Sequence, residues 1–247
     1  MAATTADAVS HSRGRSRFFV GMSMMLLLIV LAGFSRTFYL RTFFDVPPIP
    51  PHVYVHGAIL TAWFALFCLQ TSLVTSGRSD LHQRLGFVGA GLGVAVILAN
   101  VAVLSAMGPR LRVEFQSGQV GPAFLIRAVW GDFGSLMAFA VFLSAGLVLR
   151  RRPEVHKRLM FLASVSIVGP ALGRMTQWPI FAGIHMVNLS LAGMIFFLGG
   201  LVIHDLVTTR RVHPATMLGG TFRLLVWIGV QSVAASGFGQ AFIRGMT

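Results

Sequence analysis

The sequence predicts an all-α, seven-helix transmembrane bundle with its N-terminus in the cytoplasm and its C-terminus outside, and three observations predict it. Of 247 residues, 55% are hydrophobic and only 11% charged, whereas a soluble domain carries about a quarter charged. Seven stretches stay apolar for about 20 residues, the length that crosses the hydrocarbon core of a bilayer. Between them lie short basic segments whose charge alternates from side to side.

Residues 1–17 are polar and basic, with Arg13, Arg15 and Arg17, and read as a disordered cytoplasmic tail; residues 18–247 form one membrane domain. The apolar run after the tail is longer than the core of a signal peptide and no A-x-A site follows it, so it reads as an uncleaved first helix. The expected spans are 18–39, 53–75, 85–107, 123–149, 159–178, 182–203 and 220–242. Between the first two, Asp45–Pro51 holds four prolines, which exclude a helix and predict a stiff, extended segment. A very short turn at Trp178-Pro179 separates the fifth from the sixth. In the third, Gly86, Gly89, Gly91 and Gly93 allow close helix packing.

Orientation follows from Lys and Arg in the short loops. One side carries Arg13, Arg15, Arg17, Arg78, Arg84, Arg150, Arg151, Arg152, Lys157, Arg158, Arg210, Arg211 and Arg223, which is 13 residues. The other carries Arg36, Arg41, Arg110, Arg112 and Arg244, which is 5. The richer side is cytoplasmic, in a multi-pass protein of the bacterial cytoplasmic membrane. The net charge of +13 is therefore an orientation signal. Nucleic acid is excluded as a partner, since no extended basic surface exists for counterion release. The bilayer is the expected partner, with other membrane subunits or a redox partner. Cys68 is the only cysteine, which excludes internal disulfides and cysteine-rich metal sites.

Polar groups inside a membrane are costly and turn toward the bundle interior. Toward the outer side lie His56, Asn100, Asp132, Arg174, His185 and Asn188. His56, Trp63 and Gln70 are seven residues apart, so they share one face of the second helix. Gln70, Asn100, Asp132, Arg174 and Asn188 form the expected intramembrane polar network. Arg174 is the first choice of partner for the Asp132 carboxylate and Arg127 the second. At the cytoplasmic face, His82 opens the third helix, His156 opens the fifth, and His204 and Asp205 close the sixth. His213 stands outside this layer, at the headgroups. His156 and Arg174 are 18 residues apart, five turns, so one continuous helix presents both on one face, with Pro170 a possible point of kinking.

Histidine is the commonest protein ligand for haem iron and zinc. Two imidazoles bind haem from opposite sides and so come from facing helices at one depth. His82 with His156 meets that condition at the cytoplasmic face, and His56 with His185 at the outer face. The expected cofactor is haem b, serving transmembrane electron transfer. The run His56-Gly57…Trp63…Gln70…Gly77-Arg78…His82…Leu85-Gly86 resembles cytochrome b561-like membrane haem proteins. That resemblance implies haem ligands near helix starts, at His56, His82 and His156. No histidine opens the fourth helix, where the family's fourth ligand stands; Arg127 and Asp132 occupy that region. The whole chain also resembles a group of bacterial multi-span proteins without an assigned activity, through the His-Gly, Leu-His-x-x-Leu-Gly and Arg-Arg-Pro-x-x-His-Lys-Arg-Leu-Met signatures.

Two alternatives stand beside haem. Three histidines with an open position make a catalytic zinc site, which His82, His156 and His204 with Asp205 or Asp80 supply. Seven-helix membrane hydrolases of the ceramidase and progestin-receptor-like type resemble this layout, without its histidine spacing. A cofactor-free transporter or accessory subunit uses His56, Asp132, Arg174 and His185. A retinal pigment is excluded, because its Schiff base needs a lysine within a helix and the only lysine, Lys157, lies at an interface.

Overall fold

The structure is a computed structural model that describes residues 3–46, 48–117, 121–181 and 183–246. Its helices in chain order are α1 (Ala3–Gly33), α2 (Pro51–Thr75), α3 (Ser79–Ser105), α4 (Gly108–Ser117), α5 (Pro122–Val148), α6 (Pro153–Ser166), α7 (Gly169–Met175), α8 (Met186–Thr209), α9 (Pro214–Ala235) and α10 (Gly237–Gly245). Among the described residues there is no strand. Five helices, α2, α3, α5, α8 and α9, are long and apolar enough to cross a membrane, and the bent pair α6–α7 makes a sixth. In α1 the apolar stretch is Arg17–Gly33, and the helix backbone begins at Ala3, where composition suggested a disordered tail. The chain is therefore built as an all-helical, multi-pass membrane protein.

The centre of the bundle is α6–α7. In its second half α6 is buried on every side, from Leu159 through Ser166 apart from the half-buried Met160. Such all-round burial needs neighbours on all sides; α1, α5, α8 and α9 provide them. The single span expected over 159–178 is in fact two helices bent by 45°. Pro170 has no N–H to offer the Ser166 carbonyl, so the helical ladder stops there. Ile167 N–H turns back to the Ser164 carbonyl at 3.3 Å, and α7 restarts with Ala171 N–H on the Val168 carbonyl at 3.0 Å. At the far end α1 presses on α7 so closely that a Cβ on Gly33 would lie 2.2 Å from the Ala171 carbonyl oxygen.

The last expected span, 220–242, is also corrected. α9 spans Pro214–Ala235, and Ser236 then caps a separate helix, its hydroxyl accepting from Gly239 N–H at 3.1 Å. Gly239 is needed at that corner, since a Cβ there would lie 1.9 Å from the Val233 carbonyl oxygen. The short helices α4 and α10 cover the ends of α5 and α9 through a second apolar cluster of Leu111, Leu125, Ile126, Val129, Ala234 and Ile243. Residues 45, 46 and 48–50 form no regular structure ahead of α2, as the prolines require; Pro47 lies outside the described residues.

One buried ionic hub ties the centre to its neighbours. Arg158 of α6 is 1% exposed and Asp205 of α8 is fully buried. The Arg158 guanidinium donates to one Asp205 oxygen through Nε at 3.1 Å and also through Nη2. The other Asp205 oxygen accepts from the Thr216 hydroxyl at 2.5 Å and the His213 backbone N–H at 3.0 Å. Arg158 Nη1 donates to the Glu154 carboxylate at 2.8 Å and the Glu154 carbonyl at 2.7 Å. Stranding one buried charge costs about 3–5 kcal/mol. Arg158→Met should therefore destabilise the detergent-solubilised protein by about that amount, and Arg158→Met with Asp205→Asn by less than the sum of the two single changes. Thermal unfolding of the four proteins checks this; single losses below about 1 kcal/mol would show that the hub does not hold the bundle.

Candidate functional site

The end of the bundle that carries Arg78, Arg84 and Arg150–Arg152, the basic end, brings two histidines together. His82 stands in the first turn of α3, after the tight turn in which Gly77 takes φ +77°. Its neighbour across the hairpin is Gln70 of α2. The Gln70 amide NH2 donates to the His82 carbonyl at 3.3 Å. That bond turns the amide oxygen toward the imidazole, where it accepts from Nδ1 at 2.7 Å. His156 stands in the first turn of α6, and its Nδ1 donates to the Gly146 carbonyl at 2.8 Å. This carbonyl lies in the last turn of α5, where helical carbonyls have no partner within the helix.

Both Nδ1 atoms thus face groups that can only accept. Each neutral ring must carry its proton on Nδ1, which leaves a lone pair on each Nε2. Hydrogen bonds of this kind, made by the ring nitrogen that does not bind, orient imidazoles that bind metals. The ring centroids are 6.3 Å apart with planes at 74°. Two imidazoles bound to one metal from opposite sides, each nitrogen about 2 Å away, hold their centroids roughly 6 Å apart. A tetrahedral ion draws them closer, to roughly 5 Å. The spacing suits a shared ion approached from both sides.

The surroundings are asymmetric. On α3, Gly86, Gly89 and Gly93 continue the face of His82. A Cβ on Gly86 would meet nothing within 4 Å, and one on Gly89 only Leu66 at 3.6 Å and Gln70 Nε2 at 4.0 Å. Deeper in, Gly93 is packed against Leu143 and Trp63. The Trp63 ring stands edge-on to Phe139 at 5.0 Å, and its indole N–H donates to the Ser164 hydroxyl at 3.2 Å. Open space therefore lies beside His82, and an aromatic floor closes it toward the bundle centre.

The zinc site expected from His82, His156, His204 and Asp205 is not assembled. Among the described residues no three His, Cys, Asp or Glu side chains gather to hold a metal. His204 instead stacks on Phe18 at 4.2 Å and stands edge-on to Phe19 at 5.4 Å, while Asp205 is committed to Arg158, Thr216 and His213. Nor does His213 stand at the headgroups alone. Its Nδ1 caps α9 by accepting from Ala215 N–H at 3.1 Å. Burial, with the Arg158 guanidinium nearby, holds its pKa below the ordinary histidine value.

At the opposite end the expected residues divide. Asp132 and Arg174 lie within electrostatic reach and are surrounded by the bundle, yet both retain accessible surface and form no ion pair with each other. Arg174 lies over the Phe34 ring at 4.7 Å. His56 lies within electrostatic reach of Arg174, and its buried Nδ1 has no hydrogen-bond partner among the described residues. His185 does not join them. It is exposed, caps α8 by accepting from Val187 N–H at 3.4 Å, and meets Phe124 edge-on at 5.8 Å. The outer pair His56–His185 is therefore not formed. Asn188 is exposed, Asn100 donates to the Val96 carbonyl of its own helix at 2.8 Å, and Gln70 belongs to the other end. The five polar residues expected to form one network do not form one. The 45° bend likewise removes the face that His156 and Arg174 were to share.

Sequence reasoning missed the Arg158–Asp205 hub, placing Arg158 in a loop. The available signal was Glu154 one turn before it on a helix whose following residues are all apolar or small. Arg223, also assigned to a loop, is inside α9, 7% exposed, with Nε buried and without a partner.

Neither protein-family models, nor curated proteins, nor solved structures match this chain. The site therefore stands on its own geometry. In histidine-labelled protein, 15N spectra should show His82 and His156 as the Nδ1–H tautomer, with Gln70→Leu releasing His82 alone into a tautomer mixture. A wild-type spectrum with Nε2 protonated on both rings would contradict the assignment.

Proposed function

We propose that this chain is a b-type haem protein of the bacterial cytoplasmic membrane, with one haem held between His82 and His156 and with electron transfer as its activity. The observation that carries the reading is the pair itself: two imidazoles from the first turns of α3 and α6, with ring centroids 6.3 Å apart, each with Nδ1 bonded to a fixed acceptor. The resemblance of the His56-Gly57…His82 run to cytochrome b561-like proteins supports it. In this reading the protein has seven spans, counting Arg17–Gly33 of α1, with the N-terminus and the basic end in the cytoplasm.

Bound haem supplies a one-electron redox couple. The chain's own residues do the rest. Gln70 and Gly146 fix both tautomers and so leave each Nε2 with a lone pair for a metal, and polarising each Nδ1–H would make each ring a stronger donor. Gly86 and Gly89 leave room beside His82 for a flat group. Trp63, Phe139 and Leu143 exclude water from the inner side of that space. The proposal is one haem rather than two, because His56 has no histidine opposite it.

The test is the visible spectrum. Protein expressed with ample haem should purify red, with a Soret band that shifts on dithionite. His82→Ala and His156→Ala should each lower haem content more than 10-fold, since second-shell losses alone already cost about 10–100-fold, whereas His185→Ala should leave it unchanged. Colourless protein, or an unaltered spectrum in His82→Ala, rejects the reading.

A further inference from the structure

A second site lies at the opposite end of the bundle, away from the histidine pair. A cavity of about 420 Å³ opens between the start of α5, the end of α9 and the short helix α10. Its apolar wall is Ile126, Ala234 and Ala235, and its polar wall is Arg127, Gln240 and Arg244. Among the described residues no carboxylate side chain lines it. Arg127 is exposed and has no hydrogen bond or ion pair to any described residue, so its five N–H donors are available. The Gln240 amide donates to the Ala235 carbonyl at 3.3 Å, which leaves its oxygen as an acceptor.

The size and the chemistry point in one direction. Water occupies about 30 Å³ per molecule, so the cavity holds far more than an inorganic phosphate alone. The unpaired Arg127 guanidinium, with the charge of Arg244 on the same wall, favours an anion of phosphate type, to which arginine binds bidentately. The amide oxygen suits a hydroxyl donor beside it. The apolar wall suits the start of an acyl chain. The cavity also sits where a bilayer's headgroups lie, because α5 begins and α9 ends there. On α10, Phe238 is 70% and Phe242 45% exposed, an apolar surface next to the cavity that lipid can cover. Basic pockets between the ends of spans bind anionic headgroups.

We infer that this cavity is a binding site for a glycerophosphate group, carried by an anionic phospholipid such as phosphatidylglycerol. The shared chemistry is a phosphate beside hydroxyls; its two sources are a lipid headgroup and free glycerol phosphate.

The experiment titrates the full-length protein in detergent with phosphatidylglycerol, phosphatidylcholine or glycerol 3-phosphate. It reads thermal stability and, by native mass spectrometry, bound lipid. Phosphatidylglycerol should stabilise and remain bound where phosphatidylcholine does not. Arg127→Gln and Arg244→Gln should each weaken that binding about 5-fold, about 1 kcal/mol per arginine near a charged surface. Arg151→Gln, at the other end of the bundle, serves as control and should change nothing. An equal response to glycerol 3-phosphate, lost in the double variant, keeps the site and assigns it to the free ligand. Equal responses to phosphatidylglycerol and phosphatidylcholine, or undiminished phosphatidylglycerol binding in a folded Arg127→Gln/Arg244→Gln protein, overturn it. Native mass spectra of the double variant at rising collision energy separate a specific loss from a general loss of fold.

Discussion

Arg158 opens the stretch of α6 that is buried on nearly every side and is itself 1% exposed, so its guanidinium must find its counter-charge inside the bundle. Asp205 supplies it from α8, and Thr216 and His213 of α9 and its cap use the remaining carboxylate lone pairs. Because every partner is satisfied, the hub avoids the cost of a half-paired buried network. It also fixes α6 in rotation and depth against α8 and α9. A central helix with only apolar contacts could slide or turn at small cost. One with a two-bond ionic contact to a neighbour cannot.

That fixed rotation places the histidine. His156 lies two residues before Arg158, which on a helix is about 200° of rotation. If Arg158 points to α8 and α9, His156 must point to the other side, where α5 ends and α3 begins. There it finds the Gly146 carbonyl, an acceptor that the helix itself leaves over, and beyond it His82. The same logic holds on α2: Trp63 bonds to Ser164 of α6, and Gln70, two turns further on, bonds to His82. The ionic hub and the imidazole pair are thus opposite sides of one short helix turn.

The all-helical class and most of the spans were legible because the cost of exposing polar groups to hydrocarbon is written into runs of about 20 apolar residues. The depth of His82 and His156 was legible for the same reason, since both open apolar runs on one side. Breaks were less so. Pro170 was visible as a kink, but hydropathy stays high across it, and the bend depends on where the ladder restarts. The end of α9 was hidden because the residues after Ser236 remain apolar while they turn into α10. Arg158 was misplaced because its neighbours Arg150–Arg152 are in a turn and charge counting sorts by proximity in sequence. Its partner is 47 residues away, and no local pattern announces it. His185 was misjudged because depth says nothing of direction; at the first turn of a helix an imidazole can cap backbone N–H groups instead of facing inward.

The break in α6–α7 separates the two ends chemically as well as geometrically. A straight helix would carry the line of His156 five turns on to Arg174 and give one continuous polar face through the bundle. The bend turns Arg174 onto Phe34 and toward Asp132, while the second half of α6 is buried apart from the half-buried Met160, with Phe161, Leu162, Ala163 and Val165 apolar and the hydroxyls of Ser164 and Ser166 donating to the Met160 and Leu162 carbonyls of the same helix. With Trp63 and Phe139 beside it, this stretch forms a mainly apolar layer between the basic end and the Asp132–Arg174 pair. Charges on either side of such a layer are held apart by desolvation cost, which is high in a water-free interior. The two serine hydroxyls in the layer donate to carbonyls of their own helix and so do not extend toward either end. Such a layer disfavours a continuous ion conduit between the two ends, because a charge entering it would lose its hydration without gaining partners.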